Sequence, residues 1–203
     1  DMDMVFDRYP NELFPFDFDT FFQSDIQCEM VVTNCLTGDA EYMSEKHDRQ
    51  RLMDIGRASS SIPLVSPAVE IDGVPYLDGG IACAIPYQWA LDAGHEKVVL
   101  VLTRQKGYRK EPLSYKMKEL YYRTYRKYPA LMRQLLSAQQ RYNRMQEELE
   151  ELEAAGRIFV LRPQKPVAVS RLERNVDKLE QLYSEGRLET LQRLEELKWY
   201  LQV

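Results

Sequence analysis

The chain has 203 residues and a mass of 23.9 kDa, with 44% hydrophobic and 29% charged side chains, enough to bury one sizeable core and too apolar for a disordered polymer. The net charge of -5 carries no global signature of a nucleic-acid binder. No apolar run approaches the ~18 residues that span a bilayer and no charged-then-apolar leader opens the chain, so a soluble, cytoplasmic location is expected.

The first residue is Asp1 rather than methionine, and the expectation is a piece of something longer. Residues 1 to 25 are rich in acid and phenylalanine, and Asp17 predicts the cap of a short helix that turns Phe18, Phe21 and Phe22 inward. Cys28 to Thr33 reads as a strand that pairs with Ala40 to Met43 across a turn containing Gly38. Asp48 to Ala58 reads as a helix with Leu52, Ile55 and Ala58 on one stripe, stopped by Ser59-Ser60-Ser61-Ile62-Pro63. Pro67 to Ile71 and Val74 to Leu77 flank Asp72-Gly73, a pair that accepts the positive φ angles of a tight hairpin turn. The second of these strands delivers Asp78 at its end.

Ala84 to Ala93 predicts a helix closed by Gly94, and the run Val98 to Leu102 predicts a strand buried on both faces. Strand, helix and strand in this order indicate an α/β sheet covered by helices. Ser114 to Lys127 reads as a helix presenting Met117, Leu120, Tyr121, Thr124 and Tyr128, and Pro129 opens another. In the latter, Leu131, Leu135, Ala138, Tyr142, Met145, Leu149 and Leu152 form a heptad seam. That seam serves either as packing within the chain or as contact with another copy or partner helix through residues 131 to 152. Arg157 to Leu161 resembles a short strand, and the tail from Arg171 predicts two helices separated at Gly186.

Charge is uneven: residues 1 to 60 hold five basic and thirteen acidic side chains, residues 104 to 145 twelve basic and two acidic. Between 106 and 127, Lys106, Arg109, Lys110, Lys116, Lys118, Arg123, Arg126 and Lys127 alternate with Tyr108, Tyr115, Tyr122 and Tyr125. Such a face is either a solvated surface that neutralises its acidic neighbours or a contact for an anionic membrane. Stacking on single-stranded nucleic acid is the other chemistry it could serve, but the acidic total and the lack of a binding-module motif argue against it, so no nucleic acid is expected. Cys28, Cys35 and Cys83 are odd in number with no CxxC spacing, and with His47 and His95 they give no metal-ligand pattern, so neither a metal nor a cofactor is expected. Both histidines read as surface residues, which leaves no Ser-His-Asp triad.

A carboxylate at a strand end followed by two glycines allows a sharp turn and the close approach of another loop. On its own, Asp78-Gly79-Gly80 reads first as a plain turn former. Its surroundings add to it: Ala58-Ser59-Ser60-Ser61-Ile62-Pro63, Pro67-Ala68, and Gly73-Val74-Pro75-Tyr76-Leu77-Asp78-Gly79-Gly80, with Thr33-Asn34-Cys35 and Thr37-Gly38 upstream and Ile85-Pro86 after it. In this order the blocks resemble the patatin-like phospholipases, and the tail from Arg157 to Leu201 resembles the helical extension of bacterial members.

The resemblance implies a three-layer α/β fold, here a C-terminal remnant with a largely helical extension. Residues 1–112 would belong to the catalytic domain, 113–156 to a helical segment and 157–203 to a short strand plus helices. It implies a Ser-Asp dyad acting on phospholipid or another lipid ester, with Asp78 as general base, Gly79 and Gly80 shaping its turn, and Ser59, Ser60, Ser61 and Pro63 lining or supporting the acyl pocket. The sequence departs from the family in two respects: no serine has glycine two residues away on both sides, and no Gly-Gly-Gly-x-Arg-Gly loop is present. The nucleophile and oxyanion hole are therefore expected from polypeptide N-terminal to Asp1, and the isolated chain is expected to be inactive. The competing reading is a non-catalytic helical module that binds a partner protein or an anionic membrane through its basic face and heptad seam.

Overall fold

A computed structural model describes residues 1–170 and 173–202. The fold is mixed α/β with a largely helical C-terminal part. Contacts divide the chain into two units that interleave along the sequence: Asp1–Pro86 with Pro112–Gln139, and Tyr87–Glu111 with the chain from Gln140 onward.

In the first unit a π-type helical segment at Met4–Leu13 precedes helix α1 (Phe18–Gln23), whose cap Asp17 accepts a hydrogen bond from the Thr20 amide and buries Phe18. Strands β1 (Met30–Asn34), β2 (Ala40–Met43), β3 (Val69–Ile71) and β4 (Val74–Asp78) form an antiparallel sheet in the order β2-β1-β4-β3. Gly38 sits in the β1–β2 turn at φ +78, against the Ala130 backbone. The β3–β4 hairpin closes through Asp72 and Gly73 at φ 53 and 78, the left-handed pair its Asp-Gly dipeptide predicts.

Side-chain alternation along the strands sends the two faces of this sheet into separate cores. Val32, Ile71 and Tyr76 pack with Ile55 and Ala58 of helix α2 (Arg49–Ser59), which Asp48 caps. Cys35 and Leu77 pack on the opposite side with Ile81, Tyr125, Leu131, Met132 and Leu135. The last four come from α4 (Tyr115–Tyr125) and the start of α5 (Pro129–Ala154), so helix, sheet and helices make three layers.

The inward face of α4 differs from the expected one. Met117, Leu120 and Thr124 are exposed, while Tyr125 is buried with Tyr121 and Tyr128 packed beside it. The helix therefore carries two rings, Tyr121 and Tyr125 at i and i+4, toward the Cys35–Leu77 core, and Tyr128, just past the helix end, joins them. The α5 seam is occupied within the chain: Leu131, Leu135 and Leu149 are buried. Ala138, Tyr142, Met145 and Leu152 of the same seam are half-buried.

In the second unit, helix α3 spans Tyr87–Asp92, shorter than its predicted length, and ends before Gly94 at φ +85. Strand β5 (Val99–Val101) runs parallel to β6 (Phe159–Leu161). The expectation that the Val98 to Leu102 run is buried on both faces is not met: Val98 is buried, but Val99 and Val101 are 36% and 76% exposed. The physical reason is coverage. Tyr200, on helix α7 (Leu194–Leu201), takes the Val98 N–H on its hydroxyl at 3.0 Å and stacks 5.6 Å from Phe159, whereas the alternate residues of β5 face outward.

Helix α6 (Val176–Gln192) passes straight through Gly186, and the break falls at Arg193. That guanidinium donates to the Val160 carbonyl and lies 4.5 Å over the Phe159 ring, anchoring the turn on β6. The predicted start of the tail at Arg171 lies outside the described residues. Among the described residues, no helix is long and apolar enough to cross a membrane.

Candidate active site

The Tyr76-Leu77-Asp78 strand end is held by backbone and side chains that lie far apart in sequence. Asp78 donates its amide to the Ser61 carbonyl at 3.0 Å, which ties the serine-rich stretch after α2 to the tip of β4. The Asp78 carbonyl accepts the Thr33 hydroxyl at 2.8 Å, and the same hydroxyl oxygen accepts the Ala82 amide at 3.2 Å. Thr33 is fully buried, so this single side chain fastens both ends of the Gly79–Ile81 turn to β1.

The carboxylate of Asp78 caps that turn. Its Oδ1 accepts the Gly80 N–H at 2.7 Å, and the residue is half-buried. Both glycines have a steric reason. A Cβ on Gly79 would stand 2.2 Å from the Val31 carbonyl oxygen, and one on Gly80 would stand 3.0 Å from Asp78 Oδ1. The first allows the turn to lie flat against β1, and the second keeps space beside the carboxylate.

The sequence-predicted pocket residues divide. Ser61 is buried and donates its hydroxyl to the Arg57 carbonyl at 2.8 Å, so its role at the site is its carbonyl rather than its Oγ. Ser59 is half-buried at the end of α2, Ser60 is exposed, and Pro63 is half-buried. Beyond Pro63, Leu64 adopts φ 68, a left-handed conformation costing about 1 kcal/mol for a residue with a Cβ. Tyr125 holds it there by accepting the Leu64 N–H on its hydroxyl at 2.9 Å, and burial raises the pKa of that phenol. By sequence Tyr125 belongs with the tyrosines of the cationic segment, yet it is buried.

Thr33 is the residue whose part at the site the sequence did not disclose. It lies inside a β-branched strand, and nothing local shows that its hydroxyl reaches a residue 45 positions away. His47 and His95 are exposed. Among the described residues, no group of three His, Cys, Asp or Glu side chains is placed to hold a metal ion.

Residues 32–91 match the patatin-like phospholipase family model, and residues 128–202 match a domain of unknown function, DUF6363. Over 141 residues the chain is 30% identical to the uncharacterized protein YjjU of Escherichia coli (strain K12), which covers 69% of this chain and 39% of that protein. The match thus spans less than half the length of this relative. The matched stretch holds Asp78, Gly79, Gly80 and Ser59 to Pro63, and it relates this part of the chain to a family of lipid hydrolases.

Proposed function

We propose that this chain carries the general base of a serine lipid acyl hydrolase, with Asp78 as the base and the serine supplied by polypeptide outside these 203 residues. The observation that supports the reading is the fastening of Asp78 at the tip of β4 by Ser61, Thr33 and Gly80, within the stretch that matches the phospholipase family. In this reading residues 1–112 are the C-terminal part of the hydrolase domain, 113–156 a helical segment and 157–203 its helical extension.

Asp78 takes the proton from the serine hydroxyl as the oxygen attacks the ester carbonyl, and returns it to the departing alcohol. Water then repeats the sequence on the acyl-enzyme. A carboxylate is a weak base toward a hydroxyl in bulk water, so the dyad depends on a short contact in a site from which water is excluded. Fixing Asp78 through both its amide and its carbonyl limits the positions its carboxylate can take, which is what such a contact demands. Backbone N–H groups from the missing glycine-rich loop would stabilise the tetrahedral oxyanion. Ser59, Ser60 and Pro63 border the acyl pocket, with Ser61 as its support.

The test is hydrolysis of a short p-nitrophenyl ester by the longer polypeptide that includes this segment. Asp78→Asn should lower kcat about 10²- to 10⁴-fold, the usual share of a positioned base, while the 203-residue chain alone should show no turnover. Turnover by the isolated chain that Asp78→Asn abolishes would contradict the missing nucleophile.

The basic face supports a second, compatible reading, contact with an anionic membrane surface through residues 106–127. On α4, Tyr115 and Tyr122 are exposed beside Lys116, Lys118, Arg123 and Arg126, and among the described residues no ion pair draws on these four cations. Sedimentation with anionic but not neutral liposomes, weakening as salt rises, is the expected result.

A further inference from the structure

The second unit holds a cleft of about 1160 Å³ that Asp78 does not line. Its wall is mainly apolar, from Val101 and Leu102 after β5, Leu161 of β6, and Leu182, Tyr183 and Leu191 of α6. Cations set into this wall are Lys106, Arg162, Arg187 and Arg193, against two carboxylates, Glu153 and Glu189. Positive charge therefore exceeds negative by two, from four cations less two anions.

Arg162 is the unusual member. Its side chain is only 7% exposed, and its Nη2 donates to Glu153 Oε2. Its Nη1 is buried and has no hydrogen-bond partner among the described residues. Buried guanidinium donors are ordinarily satisfied, because a water-excluded N–H without an acceptor carries the full desolvation cost. The Glu153 Oε2 that accepts from Nη2 also lies 3.7 Å from the Lys106 ammonium.

A buried guanidinium with one nitrogen left without an acceptor, in the wall of an apolar cleft, matches a ligand with one anionic end and one hydrocarbon chain. We propose that this cleft binds a single-chain anionic amphiphile, with its carboxylate or phosphate against Arg162 and its chain along the wall formed by β5, β6 and α6. The site is independent of the hydrolase reading, because it uses none of the residues around Asp78.

Titration of a dansyl-tagged undecanoate onto the full chain tests the proposal by fluorescence. Saturable binding is expected, reversed by dodecanoate or dodecyl phosphate below their micelle concentrations; the stronger competitor identifies the carboxylate or the phosphate as the preferred end. Dodecanol and inorganic phosphate should each compete at least about tenfold more weakly, since each lacks one half of the recognised chemistry. Arg162→Gln should weaken the probe about tenfold. Because that change also strands Glu153, the paired variant Arg162→Met with Glu153→Met, checked for folding by circular dichroism, should show the same loss. Leu182→Asp should weaken binding with Arg162 intact, and Asp78→Asn should leave it unchanged. Absence of saturable binding, equal competition by dodecanol, wild-type affinity in the folded paired variant, or loss of binding in Asp78→Asn would overturn the proposal.

Discussion

The two sheets of this chain are built from similar residues and end in different states. In the four-stranded sheet, β4 is enclosed on both faces, with Tyr76 in one core, Leu77 in the other, and the next residue tied down through its amide and its carbonyl. In the two-stranded sheet, β5 is the more hydrophobic by sequence, yet Val99 and Val101 remain exposed because the described residues cover only its other side. Apolar composition sets how readily a strand forms, whereas the number of layers against it sets how firmly its end can hold a reactive group. The carboxylate proposed to act is borne by the enclosed strand.

The most severe way to break this contrast is to hollow out both strands. Leu77→Ala should cost about 2–5 kcal/mol in denaturant unfolding, as a fully buried leucine does, while Val101→Ala should fall within about 0.5 kcal/mol of wild type. Equal costs would remove the distinction. Next in size, Gly79→Ala should lose on the order of 3 kcal/mol, because its methyl group would press on the Val31 carbonyl. Gly73→Ala meets no neighbour and should cost about 1–2 kcal/mol, from its left-handed φ alone.

A smaller effect sharpens the comparison at the turn itself. Thr33→Val keeps the shape and removes the hydroxyl bridging the Asp78 carbonyl and the Ala82 amide, for an expected loss of about 1–3 kcal/mol. In the longer polypeptide it should also lower ester turnover by more than its stability loss explains, since the positioning of Asp78 is relaxed.

The smallest effect is alkaline. Burial pushes the Cys35 thiol up from 9.0 to about 11, and burial, followed by the hydrogen bond to Glu41, pushes the Tyr76 phenol up from 10.0 to about 12. Both groups hold their protons to higher pH when folded than when unfolded. The first unit should therefore keep its full stability below about pH 9 and lose it progressively as pH rises toward about 12. Unfolding midpoints across that window check the sign, and Cys35→Ala should flatten the part of the slope that begins first.

Much of the first unit was legible because its signals are local. Asp17, Asp48 and Ser114 each cap the helix that follows, and Asp72-Gly73 makes the hairpin that delivers Asp78. The misread features depend on distant partners. Gly186 suggested a helix end, yet the chain turns at Arg193, where a guanidinium reaches the β6 backbone 33 residues away. Tyr125 shares its spacing with the exposed tyrosines, but its hydroxyl is engaged by Leu64, 61 residues earlier. At the candidate site, Asp78 and its glycines announced themselves through turn chemistry. Thr33 and the Ser61 carbonyl did not, because a hydroxyl or a carbonyl shows no preference in sequence for the strand it will meet.

The most direct test of the central claim is the rate at which a fluorophosphonate probe labels the longer polypeptide, compared with its Asp78→Asn variant, with the labelled peptide identified by mass spectrometry. The account predicts a single modified serine outside residues 1–203 and a labelling rate reduced by at least about 10²-fold in the variant. Equal rates in the two proteins, or modification of Ser59, Ser60 or Ser61, would contradict it.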